Sequence, residues 1–224
     1  MSNIAFIPVR GGSKSIPLKN IKILANKPLV YWTAKAANDA KCTDTVVIAT
    51  DSLEIKNAVL SFNLKKVSVY DRDSANAQDT SSTESVMLEY IKNANLDRND
   101  NIFLIQATSP LLKSKFIDEM YEKLNKDGSD SILSCVIDKR FYWTPDGKSI
   151  NYDYRNRPRR QNFDGYLMEN GACYINRVSN ILKYNNRLSG KISVYVMPEY
   201  TSVEIDEPDD FLFIEKIMEK HKND

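Results

Sequence analysis

The 224-residue chain carries 31 basic and 30 acidic side chains, with 42% hydrophobic and 27% charged residues. That balance fits one large α/β domain with a packed core, spanning residues 1–224, and provides no global positive field for non-specific nucleic-acid binding. The three cysteines, Cys42, Cys135 and Cys173, are far apart and lack C-x-x-C spacing, against a disulfide framework or zinc knuckle; the single histidine, His221, leaves no Ser-His-Asp triad, H-E-x-x-H site or histidine base. Chemistry here must run on carboxylates, cations, hydroxyls, backbone dipoles or metal ions.

Residues 4–9 read as a buried strand, followed by a polar loop over 10–20. Pro28 suits the first turn of a helix running to about Asp39. Residues 45–50 form a second strand, and Asp51-Ser52 caps a helix reaching about Phe62. A short third strand covers 67–70. Ser81-x-x-Glu84 reads as a capping box opening a helix through Ile91. A strand over 101–105, a helix over 114–124 and a strand over 131–137 continue the alternation.

This rhythm of continuous apolar strands and helical patterns implies a Rossmann-like, doubly wound, mostly parallel sheet. It breaks over residues 138–169, an aromatic-, Asn- and Arg-rich insertion with no helical period, of a length that is usually functional or an interaction arm. Strands resume at 172–175 and 192–197, and a last helix follows Asp206-Glu207-Pro208 to near Lys220. The opening run MSNIAFIPVR is too short for a signal peptide and no 18-residue apolar stretch exists, so a cytoplasmic protein is expected.

Ligands of open α/β sheets sit at the carboxyl ends of the strands. The first such loop reads Arg10-Gly11-Gly12-Ser13-Lys14-Ser15-Ile16-Pro17-Leu18-Lys19-Asn20. Its paired glycines let backbone N–H groups close around an anion, and Arg10, Lys14 and Lys19 add positive charge, a combination suited to a triphosphate. It is neither a G-x-x-x-x-G-K-[ST] P-loop nor a G-x-G-x-x-G dinucleotide turn, which disfavours a NAD(P) oxidoreductase.

The run Ile7-Pro8-Val9-Arg10-Gly11-Gly12-Ser13-Lys14 with Pro17-Leu18-Lys19-Asn20 closely resembles the signature of acylneuraminate cytidylyltransferases. The likeness continues through Thr50-Asp51-Ser52, Gln106-Ala107-Thr108-Ser109-Pro110-Leu111 and Glu169-Asn170-Gly171-Ala172, and Pro158-Arg159-Arg160-Gln161 is similar to the sialic acid branch. The resemblance implies transfer of CMP from CTP to a nonulosonic acid. Arg10, Gly11, Gly12, Ser13, Lys14, Lys19 and Asn20 would hold the CTP phosphates, with Arg10 and Lys19 neutralising charge during transfer. Arg72 and Thr83 would bind the cytidine, and Gln106 and Asn170 would lie near sugar and nucleotide.

By the same resemblance, Glu204-Ile205-Asp206 matches a carboxylate pair, usually Asp-x-Asp, that organises Mg²⁺, with Mn²⁺ also expected to serve. The insertion would mediate a homodimer and wall the sugar site, with Arg160 on the sugar carboxylate and Phe141, Tyr142 and Trp143 in the dimer interface. Residues 157–165 resemble the branch handling N-acetylneuraminate and Kdn. Legionaminic or pseudaminic acid is the alternative acceptor, and a non-catalytic nucleotide-sugar-binding protein on the same fold the alternative class. Such a protein is expected to have lost loop cations or metal carboxylates, whereas Arg10, Lys14, Lys19 and Asp206 remain.

Overall fold

Strand β1 (Asn3–Pro8) is buried along nearly its whole length, as a central strand covered on both faces must be. The computed structural model describes residues 1–12, 15–78 and 80–222. After β1 come a small hairpin, β2 (Ile23–Leu24) and β3 (Lys27–Pro28), then α1 (Leu29–Asp39), β4 (Thr45–Thr50), α2 (Leu53–Leu60), β5 (Val67–Asp71) and α3 (Thr83–Asn93). The second half runs β6 (Asn101–Ile105), α4 (Ser114–Asp127), β7 (Ser131–Asp138), β8 (Tyr166–Arg177), α5 (Val178–Tyr184), β9 (Ile192–Val196) and α6 (Pro208–Lys220).

The main sheet has seven strands in the order β5-β4-β1-β6-β8-β7-β9. Every neighbouring pair is parallel except those made by β8, which runs antiparallel to both β6 and β7. The carboxyl ends of β1, β4, β6 and β7 therefore open on one edge of the sheet.

Strand alternation sends Ala5 and Ile7 into a core with residues of α1, α2 and α4, and Ile4 and Phe6 into a second core with α3 and α5. Helices thus cover both faces, as the doubly wound reading requires. A third cluster packs α6, through Phe211 and Ile214, on Ile16 and Leu24. Burying each large side chain such as Phe6, Ile7 or Phe103 stabilises by about 1.5–3 kcal/mol. These strands are rigid mounts for the loops at their ends. No helix among the described residues is long and apolar enough to cross a membrane.

Several local readings shift. Ser82, not Ser81, caps α3, its hydroxyl accepting from the Ser85 N–H at 3.1 Å. Strand β8 begins at Tyr166, so residues 139–165 alone form the irregular excursion. Helix α5 lacks a side-chain cap. Ahead of α6 a capping box joins Glu207 and Asp210 around Pro208, so Glu207 is the cap.

Candidate active site

At the carboxyl ends of β1 and β6, facing the start of α3, lies a cleft of about 350 Å³. Arg10, Lys19, Asn20, Arg72, Thr83 and Gln106 all line it. Six side chains from four separate stretches of sequence therefore converge. Two hydrogen bonds hold the first loop in shape: the Gly11 N–H donates to Asp51 Oδ1, on the next strand's loop, at 3.0 Å, and buried Asn20 donates from Nδ2 across the loop to the Arg10 carbonyl at 3.2 Å. A Cβ on Gly11 would stand 2.9 Å from Ser52 Cβ, so close approach demands glycine there. Gly12 faces open space. Ser13 and Lys14 lie outside the described residues.

Arg72 closes the far side. It is 8% exposed, its Nη2 donates to the Asn76 carbonyl, and its buried Nε–H has no partner among the described residues. Burial pulls its pKa down, a cost the nearby carboxylates of Asp51 and Glu89 partly offset. An orphaned donor beside a polar cleft is the kind of group that a ligand satisfies.

Lys19 ties this loop to the carboxylates. Its Nζ donates to the Ile205 carbonyl at 2.7 Å and lies 3.3 Å from Asp206 Oδ1, while the Ser15 hydroxyl donates to the Asp206 carbonyl at 2.9 Å. Glu204 lies half-buried, and the Thr108 hydroxyl points toward its Oε2 at 3.4 Å. Burial and then the charge of Asp206 push the Glu204 pKa upward. Between β6 and this segment stands Gly171, with φ +66°. A Cβ there would fall 2.9 Å from both Gln106 Oε1 and Glu204 Oε1. Sequence reasoning missed this role, because the close approach joins three distant segments.

The remaining expected residues lie elsewhere. Asn170 is 1% exposed; its Oδ1 accepts from the Ser134 hydroxyl at 2.7 Å and its Nδ2 points to the Thr201 carbonyl at 3.4 Å. It braces the floor instead of lining the cleft. Arg160 lines a second cleft of about 540 Å³ at the carboxyl end of β7, together with Lys139, Arg140, Arg157, Arg159 and Met168. There its Nη2 meets Glu199 Oε1 at 2.9 Å, both side chains being largely exposed. Phe141 packs within its own arm, its ring 4.3 Å from that of Tyr152 and 5.0 Å from that of Phe163, whereas Tyr142 and Trp143 are exposed.

A family model described as cytidylyltransferase matches residues 4–222. The chain belongs to that family. Similar curated proteins include N-acylneuraminate cytidylyltransferase A of Danio rerio, 38% identical over 210 residues, covering 90% of this chain and 47% of that protein. The pseudaminic acid cytidylyltransferase of Campylobacter jejuni subsp. jejuni serotype O:23/36 is 28% identical, covering 98% of this chain and 97% of its own length. The chain spans about half the length of the fish N-acylneuraminate relatives it matches. A solved CMP:2-keto-3-deoxy-manno-octonic acid synthetase complexed with CTP shares the fold, with TM-score 0.71 at 16% identity over 99% of this chain and 100% of that one.

The family generally uses a divalent metal. Among the described residues no cluster of three or more acidic, His or Cys side chains stands ready to hold one. The pair Glu204 and Asp206 nevertheless suits a hard cation that keeps waters or phosphate oxygens as its other ligands. A cation would relieve the repulsion that now opposes ionisation of Glu204.

Proposed function

We propose that this chain transfers CMP from CTP to a sialic-acid-type nonulosonic acid, with N-acetylneuraminate or Kdn as best acceptor, releasing pyrophosphate. The observation that carries the reading is the meeting of Arg10, Lys19, Arg72, Thr83 and Gln106 around one cleft, with Lys19 bonded to the segment of the two carboxylates. In the reaction the acceptor's anomeric hydroxyl attacks the α-phosphorus of CTP, and the bond from that phosphorus to the pyrophosphate oxygen breaks. Phosphoryl chemistry of this kind depends chiefly on positioning and charge neutralisation, so a site without histidine is adequate.

Arg10 and Lys19 neutralise the triphosphate, and Lys19 does so from a place fixed by the Ile205 carbonyl. Arg72 offers its unpartnered Nε–H toward the cytidine end, where Thr83 lies at the helix start. Glu204 and Asp206 would hold Mg²⁺, with Mn²⁺ as substitute, which when bound polarises phosphate oxygens. Arg160 would take the acceptor carboxylate in a bidentate fork. The arm over residues 139–165, with Tyr142, Trp143 and Tyr154 exposed, supports a homodimer. Light scattering at micromolar concentration checks that, and a monomer refutes it. A cytoplasmic location accords with the substrates.

The test is pyrophosphate release with each nucleoside triphosphate, Mg²⁺ and a panel of nonulosonic acids. CTP with N-acetylneuraminate or Kdn should give the highest kcat/KM; equal turnover with ATP or UTP overturns the nucleotide assignment. A second reading, pseudaminate as acceptor, is favoured by the Campylobacter relative that this chain matches almost end to end. A clear preference for pseudaminate in the same panel would select it.

A further inference from the structure

The first turn of α3 carries Thr83 on the cleft wall, and the next residue, Glu84, turns the other way into the body of the protein. There Glu84 Oε1 accepts from Arg187 Nε at 2.5 Å. Both side chains are only 20% exposed. The Arg187 guanidinium also lies over the ring of Tyr174, 5.0 Å from its centroid, and the Tyr174 hydroxyl donates to Glu169. Arg187 comes from the turn after α5, over a hundred positions along the chain from Glu84. A long-range, half-buried pair backed by an aromatic face is a different object from the exposed ion pairs of the surface, such as Lys148 with Asp146.

The charge states agree with the geometry. Burial opposes ionisation of Glu84, yet the Arg187 hydrogen bond, a backbone N–H and the Arg187 charge together outweigh it and hold the carboxyl below its ordinary range. Breaking one side of such a pair strands the other charge in a poorly solvated place, so the local structure must move to hydrate it. What would move is the start of α3. Ser82 and Thr83, both on the cleft wall, adjoin Glu84 in the chain. On the cleft side the Ser85 hydroxyl ties the turn to the Ser82 carbonyl and to Asn76, and on the far side the Glu84–Arg187 pair anchors it to the body of the protein.

We propose that Arg187 is a positioning residue for nucleotide recognition: through Glu84, from behind, it sets the place of Ser82 and Thr83 on the wall of the CTP cleft. This rests on the cytidylyltransferase reading above and adds to it a residue that touches no substrate. The Tyr174 ring keeps the guanidinium edge aimed at Glu84. Because the pair acts on the cleft wall near Arg72 and not on Lys19 or the carboxylates, its loss should appear in binding of CTP and not in the chemical step.

The test measures CTP affinity by calorimetry without acceptor, then steady-state kinetics, for wild type, Arg187→Met, Glu84→Gln and the double variant. Arg187→Met should raise the Kd and KM for CTP about tenfold and change kcat less than about threefold, as removal of uniform binding does. Glu84→Gln should act in the same direction. The double variant should be no worse than Arg187→Met, since paired groups are non-additive. Arg187→Lys, which keeps the charge, should recover part of the affinity. A folded Arg187→Met with wild-type CTP affinity overturns the proposal, as does a loss confined to kcat or to thermal stability. Should Arg187→Met not fold, Glu84→Gln alone decides on the same criterion. Wild type that binds CTP no better than ATP would sink the nucleotide reading; the positioning role is then decided separately, standing if Arg187→Met weakens the binding of both nucleotides alike and falling if it weakens neither.

Discussion

The two clefts at the carboxyl edge of the sheet are built by different means. The smaller one is framed by strand ends and by hydrogen bonds that cross the sequence: Lys19 to Ile205, Gly11 to Asp51, Asn20 to Arg10. The larger one is framed on one side by an arm held mostly by contacts within itself, ring packing among Phe141, Tyr152 and Phe163 and the hydrogen bonds of buried Asn151 with Tyr142 and Arg140, and by an exposed pair, Arg160 with Glu199. Rigid mounting suits groups that must meet a reacting phosphate with little tolerance. Loose mounting suits an acceptor pocket, or a surface completed by a second copy. The comparison predicts that single substitutions in the first cleft cost far more than those in the second.

Lys19 should show the largest effect. Lys19→Met removes the positive charge facing the triphosphate and one of the two side-chain ties between the described residues of the first loop and the carboxylate segment, the other being Ser15 to Asp206. Turnover should fall about 100- to 1,000-fold, the range seen when a preorganised electrostatic group is lost. Circular dichroism should show the fold intact. Near-wild-type turnover would mean that the first loop has no part in phosphate handling.

Asp206 comes next. Asp206→Asn should lower turnover by about 100-fold, matching the several kcal/mol that metal-borne charge stabilisation supplies. Glu204→Gln should cost less, because Glu204 is half-buried and its ionisation is already opposed by burial. A Mg²⁺ titration of both variants checks the order, and the reverse order would move the main metal ligand to Glu204.

Gly171 gives an intermediate effect by a purely steric route. Gly171→Ala places a Cβ in a left-handed backbone and 2.9 Å from both Gln106 Oε1 and Glu204 Oε1. The backbone strain alone costs about 1–3 kcal/mol. A lower melting temperature with about tenfold lower kcat/KM is expected, each 1.4 kcal/mol being about a factor of ten. Unchanged kcat/KM would show that neither side chain needs its present place.

Much of the first cleft was legible in the sequence because its residues belong to strand-end loops. The strands over 45–50 and 101–105 coincide with β4 and β6, since their apolar runs are continuous and bounded by polar residues. The arm was legible only as an absence of period. Its end was misjudged because Tyr166 and Leu167 are exposed, so the first half of β8 lacks the buried run that marks residues 170–176. Helix α5 was missed for want of a side-chain cap, and Ser81 was preferred to Ser82 because Ser81-x-x-Glu84 fits the capping pattern. Glu84 is instead drawn to Arg187. Such long-range pairings, like Lys19 with Ile205 or Gly171 beneath Gln106, leave no local signal.

The smallest expected effect lies in the second cleft and sharpens the comparison most. Arg160 and Glu199 are about three-quarters exposed, and an exposed pair of this kind is worth about 0–1 kcal/mol. Glu199 is therefore a weak competitor for the guanidinium, and an acceptor carboxylate can displace it at little cost. Arg160→Lys keeps the charge but loses the planar fork, so the KM of every nonulosonic acid should rise by about tenfold, the loss of one charged hydrogen bond. The KM for CTP should hold. Glu199→Gln, in contrast, frees Arg160 and should leave acceptor KM unchanged or slightly lower. If Arg160→Lys altered CTP binding alone, the arginine would belong to the triphosphate, and the two clefts would have to be read as one.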